Sequence, residues 1–268
     1  MASPSRHTPW LWVFTSVVVI AGVGVLIRLG IWQLERLEWR RAFNQRATAQ
    51  MSLPALDLNV ENPGDRLVDM EYRAVVVTGV YDHADEVLLR NHVWQNRPGY
   101  RILTPLRISG SDQAVIIDRG WIPLDGAADL SLYEAPGTIL VKGMIRRPQT
   151  RPDIGGVRDP TLAPGETRLA AFNIVNLDRL QQQVDEPLLP VYIQCAPDSA
   201  QTTLPYCSLP EIEITEGPHF GYALQWFAFA ALLGIGYPVF AYRQIKGHHG
   251  MKFAEQEHAR QAEGSEQK

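Results

Sequence analysis

Two apolar stretches, residues 9–27 and 220–242, contain no Asp, Glu, Lys, Arg or His and lie near opposite ends of a 268-residue chain. As a helix rising about 1.5 Å per residue, each can cross about 30 Å of hydrocarbon. The expected architecture is a membrane protein: two transmembrane α-helices, over 10–29 and 219–242, flanking a soluble domain. Trp10 and Trp12 in the first stretch, and Tyr222, Trp226, Tyr237 and Tyr242 in the second, include aromatics suited to bilayer boundaries. The first stretch is long for a secretory signal. Its nearest small-x-small site, Ala47-Thr48-Ala49, lies beyond an Arg-rich segment, so an uncleaved anchor is expected. The N-terminal tail, with Arg6 alone, does not resemble a transit peptide, which favours a bacterial plasma membrane over the mitochondrial inner membrane.

Lys and Arg counts flanking the two spans tie. The second span breaks towards a cytoplasmic C-terminus, with Arg243, Lys246, Lys252 and Arg260 after it and only Glu211, Glu213 and Glu216 before it. The expected segments are a cytoplasmic tail (1–9), the first span (10–29), a juxtamembrane helical segment (30–46), an extracytoplasmic β-rich domain (47–218), the second span (219–242) and a polar, mobile cytoplasmic tail (243–268). Runs rich in Val, Ile, Tyr and Thr at 72–81, 87–90, 100–107, 113–118, 139–146, 190–195 and 212–215 read as strands. Turn signals separate several of them, at Arg97-Pro98-Gly99, Ser109-Gly110-Ser111-Asp112, Asp125-Gly126 and Ala135-Pro136-Gly137. Asn176 ahead of Leu177, Leu180 and Val184 predicts one short capped helix, and 152–166 reads as a surface loop. The domain is therefore expected to be mainly antiparallel β with a few helices (α+β).

The chemistry is sparse. A net charge of −4 gives no basic footprint for nucleic acid. Cys195 and Cys207 lack the CxxC spacing of zinc or thioredoxin-type centres. They read equally as one disulfide in an oxidising compartment or as two buried thiols, with Cu(I) binding a poorer fit. No hydrolase elbow, phosphate loop or HExxH helix occurs, so no enzyme activity is expected. His83 and His92, beside Asp82, Asp85 and Glu86, could bind metal or move a proton, but they read as solvated turn residues, and so does His248-His249. The second span says more. His219, Tyr222, Trp226, Phe229 and Leu233 recur at helical spacing, an imidazole above an aromatic wall, which suits either a haem ligand or an interfacial aromatic belt. Arg28, at the end of the first span, must share a leaflet with His219. It can snorkel to the head groups or meet a ligand carboxylate. Ala230 and Gly234 offer a small-residue helix contact.

Four strings resemble one family: LGIWQLERLEW at 29–39, PGYRILTPL at 98–106, DRGWIP at 118–123 and HFGYALQW at 219–226. In this order, between two apolar stretches, the chain resembles the Surfeit locus protein 1 family of cytochrome c oxidase biogenesis factors. The resemblance implies both termini on the cytoplasmic or matrix side. It also implies a non-enzymatic role in maturing oxidase subunit I, with haem a received or held for insertion. By that analogy His219 is the candidate ligand of the haem iron, and Tyr222, Trp226 and Arg28 line the cofactor site. The implied partners are subunit I, haem a synthase and the bilayer. Arg119 and Trp121 carry over only as motif positions, expected to be a paired Arg and a packed Trp. Cys195, Cys207 and the insertion-like segment 197–210 match nothing in the family pattern. A cofactor-free scaffold and a membrane-anchored enzyme with an unrecognised site in the β domain remain the alternatives.

Overall fold

The computed structural model describes residues 9–152, 156–162, 168–198 and 202–265, and of 9, 245 and 247–265 the backbone only. In chain order the elements are α1 (Pro9–Ser52), β1 (Leu56–Asp57), β2 (Ala74–Tyr81), β3 (Val87–Trp94), β4 (Arg97–Ile108), β5 (Ala114–Pro123), β6 (Thr138–Arg146), β7 (Ala171–Phe172), α2 (Leu177–Leu180), β8 (Leu188–Cys195) and α3 (His219–Ser265). The chain divides into two compact units, 45–214 and the helical termini 1–44 with 215–268.

Both long helices follow from composition. Between the apolar stretch and Ser52, α1 is filled with Leu, Glu, Arg, Gln and Ala, all good helix formers, and it stops just before Leu53-Pro54, where a proline disfavours helical backbone in its predecessor. The helix α3 begins after Pro218 and carries Pro238 inside it. It continues through Ser265, so residues expected as a mobile polar tail are helical; Ala, Gln, Glu, Lys and Arg dominate there. Two helices are long and apolar enough to cross a membrane, Trp10–Ser52 and His219–Gln244. Their outward faces leave Ile20, Leu232 and Ile235 about 70 % exposed, the reverse of a water-soluble core helix. Facing each other, α1 and α3 show a strict alternation of three- and four-residue steps. Trp12, Ser16, Val19, Val23, Leu26, Gly30, Gln33 and Leu37 are at least half-buried, as are His219, Ala223, Trp226, Ala230, Leu233 and Tyr237. This is the period of coiled-coil packing.

In the second unit β2 pairs with β6, β6 with β8, β8 with β5, β5 with β4 and β4 back with β2, closing a five-stranded ring. Short strand β1 joins β2, while β3 and then β7 extend the sheet from β4. The pairings are antiparallel except β1–β2, β3–β7 and β5–β8. Closing the ring gives β4 and β5 two buried faces. Leu106, Val115 and Ile117 point into the barrel core with Val75, Val77, Val141, Ile145, Val191 and Ile193. Leu103 and Ile116 pack on the other side against Phe172, Leu177 and Leu180. That is why Ala114–Pro123 is buried at nearly every position instead of at alternate ones.

Some local expectations change. Arg97-Pro98-Gly99 belongs to β4, because Gln95 and Asn96, both at positive φ, make the tight hairpin turn instead. Residues 212–215 form no strand, whereas two-residue β1 and β7 lay below the length that patterning can see. Helix α2 is as expected, with Asn176 Oδ1 accepting from the Arg179 amide at 3.2 Å. Of the predicted loop at 152–166, residues 153–155 and 163–166 lie outside the described residues. Cys195 and Cys207 are joined as a disulfide, and Tyr206, beside the second cysteine, pairs with β5, where Trp121 and Tyr206 exchange both backbone hydrogen bonds at 2.9 Å. Gly120, at φ 116°, permits this approach: a Cβ there would stand 2.5 Å from the Tyr206 carbonyl oxygen.

Candidate functional site

The helix pair is antiparallel, and three levels of contact set its register. At one end Tyr237 Oη lies 2.9 Å from both Thr15 Oγ1 and Ser16 Oγ. Between the two ends, one turn from Gln33, Gly30 is buried against Phe227, with room for a ring but not for a Cβ, which would stand 2.6 Å from it. At the other end His219 Nδ1 lies 2.9 Å from Gln33 Oε1. An amide oxygen only accepts, so Nδ1 carries the proton and the lone pair of Nε2 is left free. Beside that nitrogen is Gly217, whose φ of 67° suits glycine; a Cβ there would come within 3.5 Å of Nε2. Beyond His219, Arg41 grips Glu216 with two hydrogen bonds of 2.9 Å, holding that carboxyl below its usual range, and Arg40 donates to the Thr215 carbonyl.

The expected site residues are dispersed differently from the pattern. His219 and Trp226 are half-buried on the inner face, and Leu233 with them. Tyr222 and Phe229 are 49 % and 43 % exposed, because Ala223 and Ala230 occupy the inner positions and let the helices close. Trp226 and Phe229 nevertheless meet edge to face, with centroids 6.1 Å apart. Arg28 is exposed and ion-paired with Glu35 of its own helix at 3.4 Å. It lies five residues before Gln33, about 7.5 Å along the axis. The Ala230–Gly234 contact is present on one side, since a Cβ at Gly234 would meet Val23 at 3.7 Å. Gln33 and Gly217 carried no role in the sequence reading. Gln33 sits inside the LGIWQL string, and its function appears only when α3 places an imidazole opposite.

In the barrel, His83 and its neighbours are not solvated turn residues. Glu86 is buried and accepts from Thr104 at 2.5 Å and from Arg119 at 2.7 Å. His83 Nδ1 faces the same carboxylate at 3.4 Å while its Nε2 accepts from the Ala135 amide. Arg119 also lies 4.7 Å over the Tyr81 ring and donates to the Tyr133 carbonyl. Burial pushes the Tyr81 hydroxyl up to about 12. Deeper, Asp118 takes Arg101 Nε at 2.6 and 2.7 Å; burial raises its carboxyl and Arg101 opposes that. Trp121 stacks on Tyr206 at 6.4 Å. The DRGWIP residues are thus a paired Arg and a packed Trp. Among the described residues, no three His, Cys, Asp or Glu side chains converge to hold a metal ion.

A family model described as the SURF1 family matches residues 20–231, taking in most of α1, the barrel and the His219 end of α3. The chain belongs to the SURF1 family. Three relatives show how that similarity is spread. An uncharacterized SURF1-like protein of Mycobacterium bovis is 25 % identical over 240 residues, 88 % of this chain and 85 % of that protein. A SURF1-like protein of Rickettsia bellii is 22 % identical over 236 residues, covering 84 % and 90 %. The cytochrome oxidase assembly protein SHY1 of Saccharomyces cerevisiae is 30 % identical over 94 residues, 35 % of this chain and 24 % of that protein. Every residue of the His219 site lies inside the SURF1 match, as does the Arg119–Glu86 network.

Proposed function

We propose that this SURF1-family chain is a membrane-anchored assembly factor, not an enzyme, that serves a haem–copper cytochrome c oxidase. In this reading α1 and α3 cross a bacterial plasma membrane, the barrel is extracytoplasmic, and haem a is held at the His219 end of the helix pair for delivery to subunit I, with haem a synthase as the donor. Family membership and the name of the yeast relative support the oxidase role. The Cys195–Cys207 disulfide supports an oxidising compartment for the barrel.

The observation that carries the haem reading is the His219–Gln33 contact. Ligating histidines characteristically donate their other N–H to an acceptor that fixes ring orientation, and here Gln33 supplies it. The residues present fit such a group: Nε2 is free, Gly217 leaves the space beside it open, and Trp226 lies two turns along the same face. When bound, a haem would supply a redox-active iron. His219 would present its imidazole to that iron and Trp226 would pack as apolar wall. Arg28 can exchange Glu35 for an anionic ligand group at little cost, because exposed ion pairs are worth about 0–1 kcal/mol.

The test is the full chain in detergent, purified from cells that make haem a. A haem a spectrum is expected, abolished in His219→Ala and weakened about 10–100-fold in affinity in Gln33→Leu. A colourless protein that still rescues oxidase assembly would replace the carrier with a cofactor-free scaffold.

A further inference from the structure

The barrel unit contains a second feature that neither the haem reading nor the family match uses. A cavity of about 400 Å3, within the size range of small-molecule sites, opens beside β3, β6 and β8. Its charge is one-sided: Arg90, Arg146 and Arg147 line it against a single carboxylate, Glu71, in a chain whose net charge is −4. The backbone is shaped to build it. A bulge between Leu89 and His92, with Asn91 at φ 65°, breaks the β3–β4 ladder and presents Arg90 and His92 to the cavity.

The arginines are incompletely satisfied. Arg146 Nε is buried with no hydrogen-bond partner, and Glu71 stands 3.8 Å away, too far to serve. Its guanidinium lies 5.0 Å over the Tyr72 ring. Arg147 is likewise 3.7 Å from Glu71, turns its Nε to the Val68 carbonyl and reaches the exposed Asp69 carboxylate with Nη2 at 3.5 Å, which leaves its Nη1 donors unspent. Arg90 has no hydrogen bond or ion pair among the described residues. Three guanidinium groups with unspent donors around a concave, half-enclosed space match the acceptor pattern of a tetrahedral oxyanion.

We infer that this cavity is a binding site for a phosphate-bearing ligand, gripped by Arg90, Arg146 and Arg147. The ligand's phosphate can be free in solution or part of a lipid head group. The full chain in maltoside detergent is titrated with inorganic phosphate and, separately, with dihexanoyl phosphatidic acid, reading 31P line broadening. Saturable binding of either is expected, weakened at least ten-fold in Arg90→Glu, whose exposed side chain supports no packing. It should be unchanged in Arg66→Glu, an exposed arginine outside the cavity. Binding of inorganic phosphate assigns a soluble ligand, whereas binding of the short-chain lipid alone assigns a head group. No saturable binding of either, or equal weakening by Arg66→Glu, overturns the site. The haem a spectrum is indifferent to these variants, so this result stands or falls apart from the carrier reading.

Discussion

Each unit buries one polar pair drawn from a family-like string, and the two pairs differ in what they leave free. In the barrel, every charged atom of the Asp118–Arg101 pair has a protein partner: both carboxylate oxygens meet Arg101 Nε, Oδ1 also accepts from the Gly120 amide, and the other two guanidinium nitrogens donate to Ser208. In the helix pair, Gln33 occupies only one nitrogen of His219 and leaves the other with a lone pair. A saturated pair is a structural fastener; an unsaturated one can bind. Polarity and burial in a motif therefore say nothing about function until unspent donors and acceptors are counted.

The sharpest way to break that contrast is to remove the fastener. Asp118→Ala leaves Arg101 buried opposite no carboxylate, and breaking a buried pair from one side costs about 3–5 kcal/mol. Hydrogen exchange of the barrel amides in the full chain should accelerate accordingly, with the haem spectrum of any surviving folded protein retained. A barrel as protected as the wild type would mean that Arg101 is satisfied by Ser208 alone.

The Arg41–Glu216 ion pair across the helix pair is exposed, and the close approach rests on Gly30. In Gly30→Val the new methyl groups meet the Phe227 ring, an overpacking cost of about 1–3 kcal/mol. Cysteines placed at Val23 and Gly234, in a chain lacking Cys195 and Cys207, should cross-link in detergent, and adding Gly30→Val should cut the yield several-fold. Undiminished cross-linking would show that the Tyr237 hydrogen bonds hold the register without the glycine.

Much of this was legible in local pattern: the two apolar helices, the β-branched runs of strands β2 and β6, and the Asn176 cap all announce themselves within a few residues. What was hidden depends on long-range closure. Nothing near Gly79 or Ile108 reveals that they pair, yet that pairing turns a sheet into a ring and sends Ile116 and Ile117 into two different cores. His83 reads as a turn residue because it is flanked by acids. It is the approach of Arg119 and Ala135 that converts the turn into an ionic network. The Tyr222 face fails for a similar reason: helical spacing cannot tell a four-residue step from a three-residue one until the partner helix selects the small residues. Gln33 gains its meaning only from a residue 186 positions away.

The smallest effect tests whether an imidazole can sit in the barrel on the terms opposite to those at His219. Burial and the neighbouring Arg101 guanidinium depress His92 from 6.5 to about 4. Between those values the unfolded chain takes up the proton and the folded chain refuses it, so stability rises with pH across that window. Above pH 6.5 both states are neutral at this residue and it contributes no slope. As pH falls past about 4 the penalty levels off at roughly 3 kcal/mol. Barrel hydrogen exchange compared at pH 7 and pH 4.5 should therefore show a smaller acid loss in His92→Gln than in the wild type. Equal losses would mean that the His92 ring reaches solvent and is shielded from the Arg101 guanidinium.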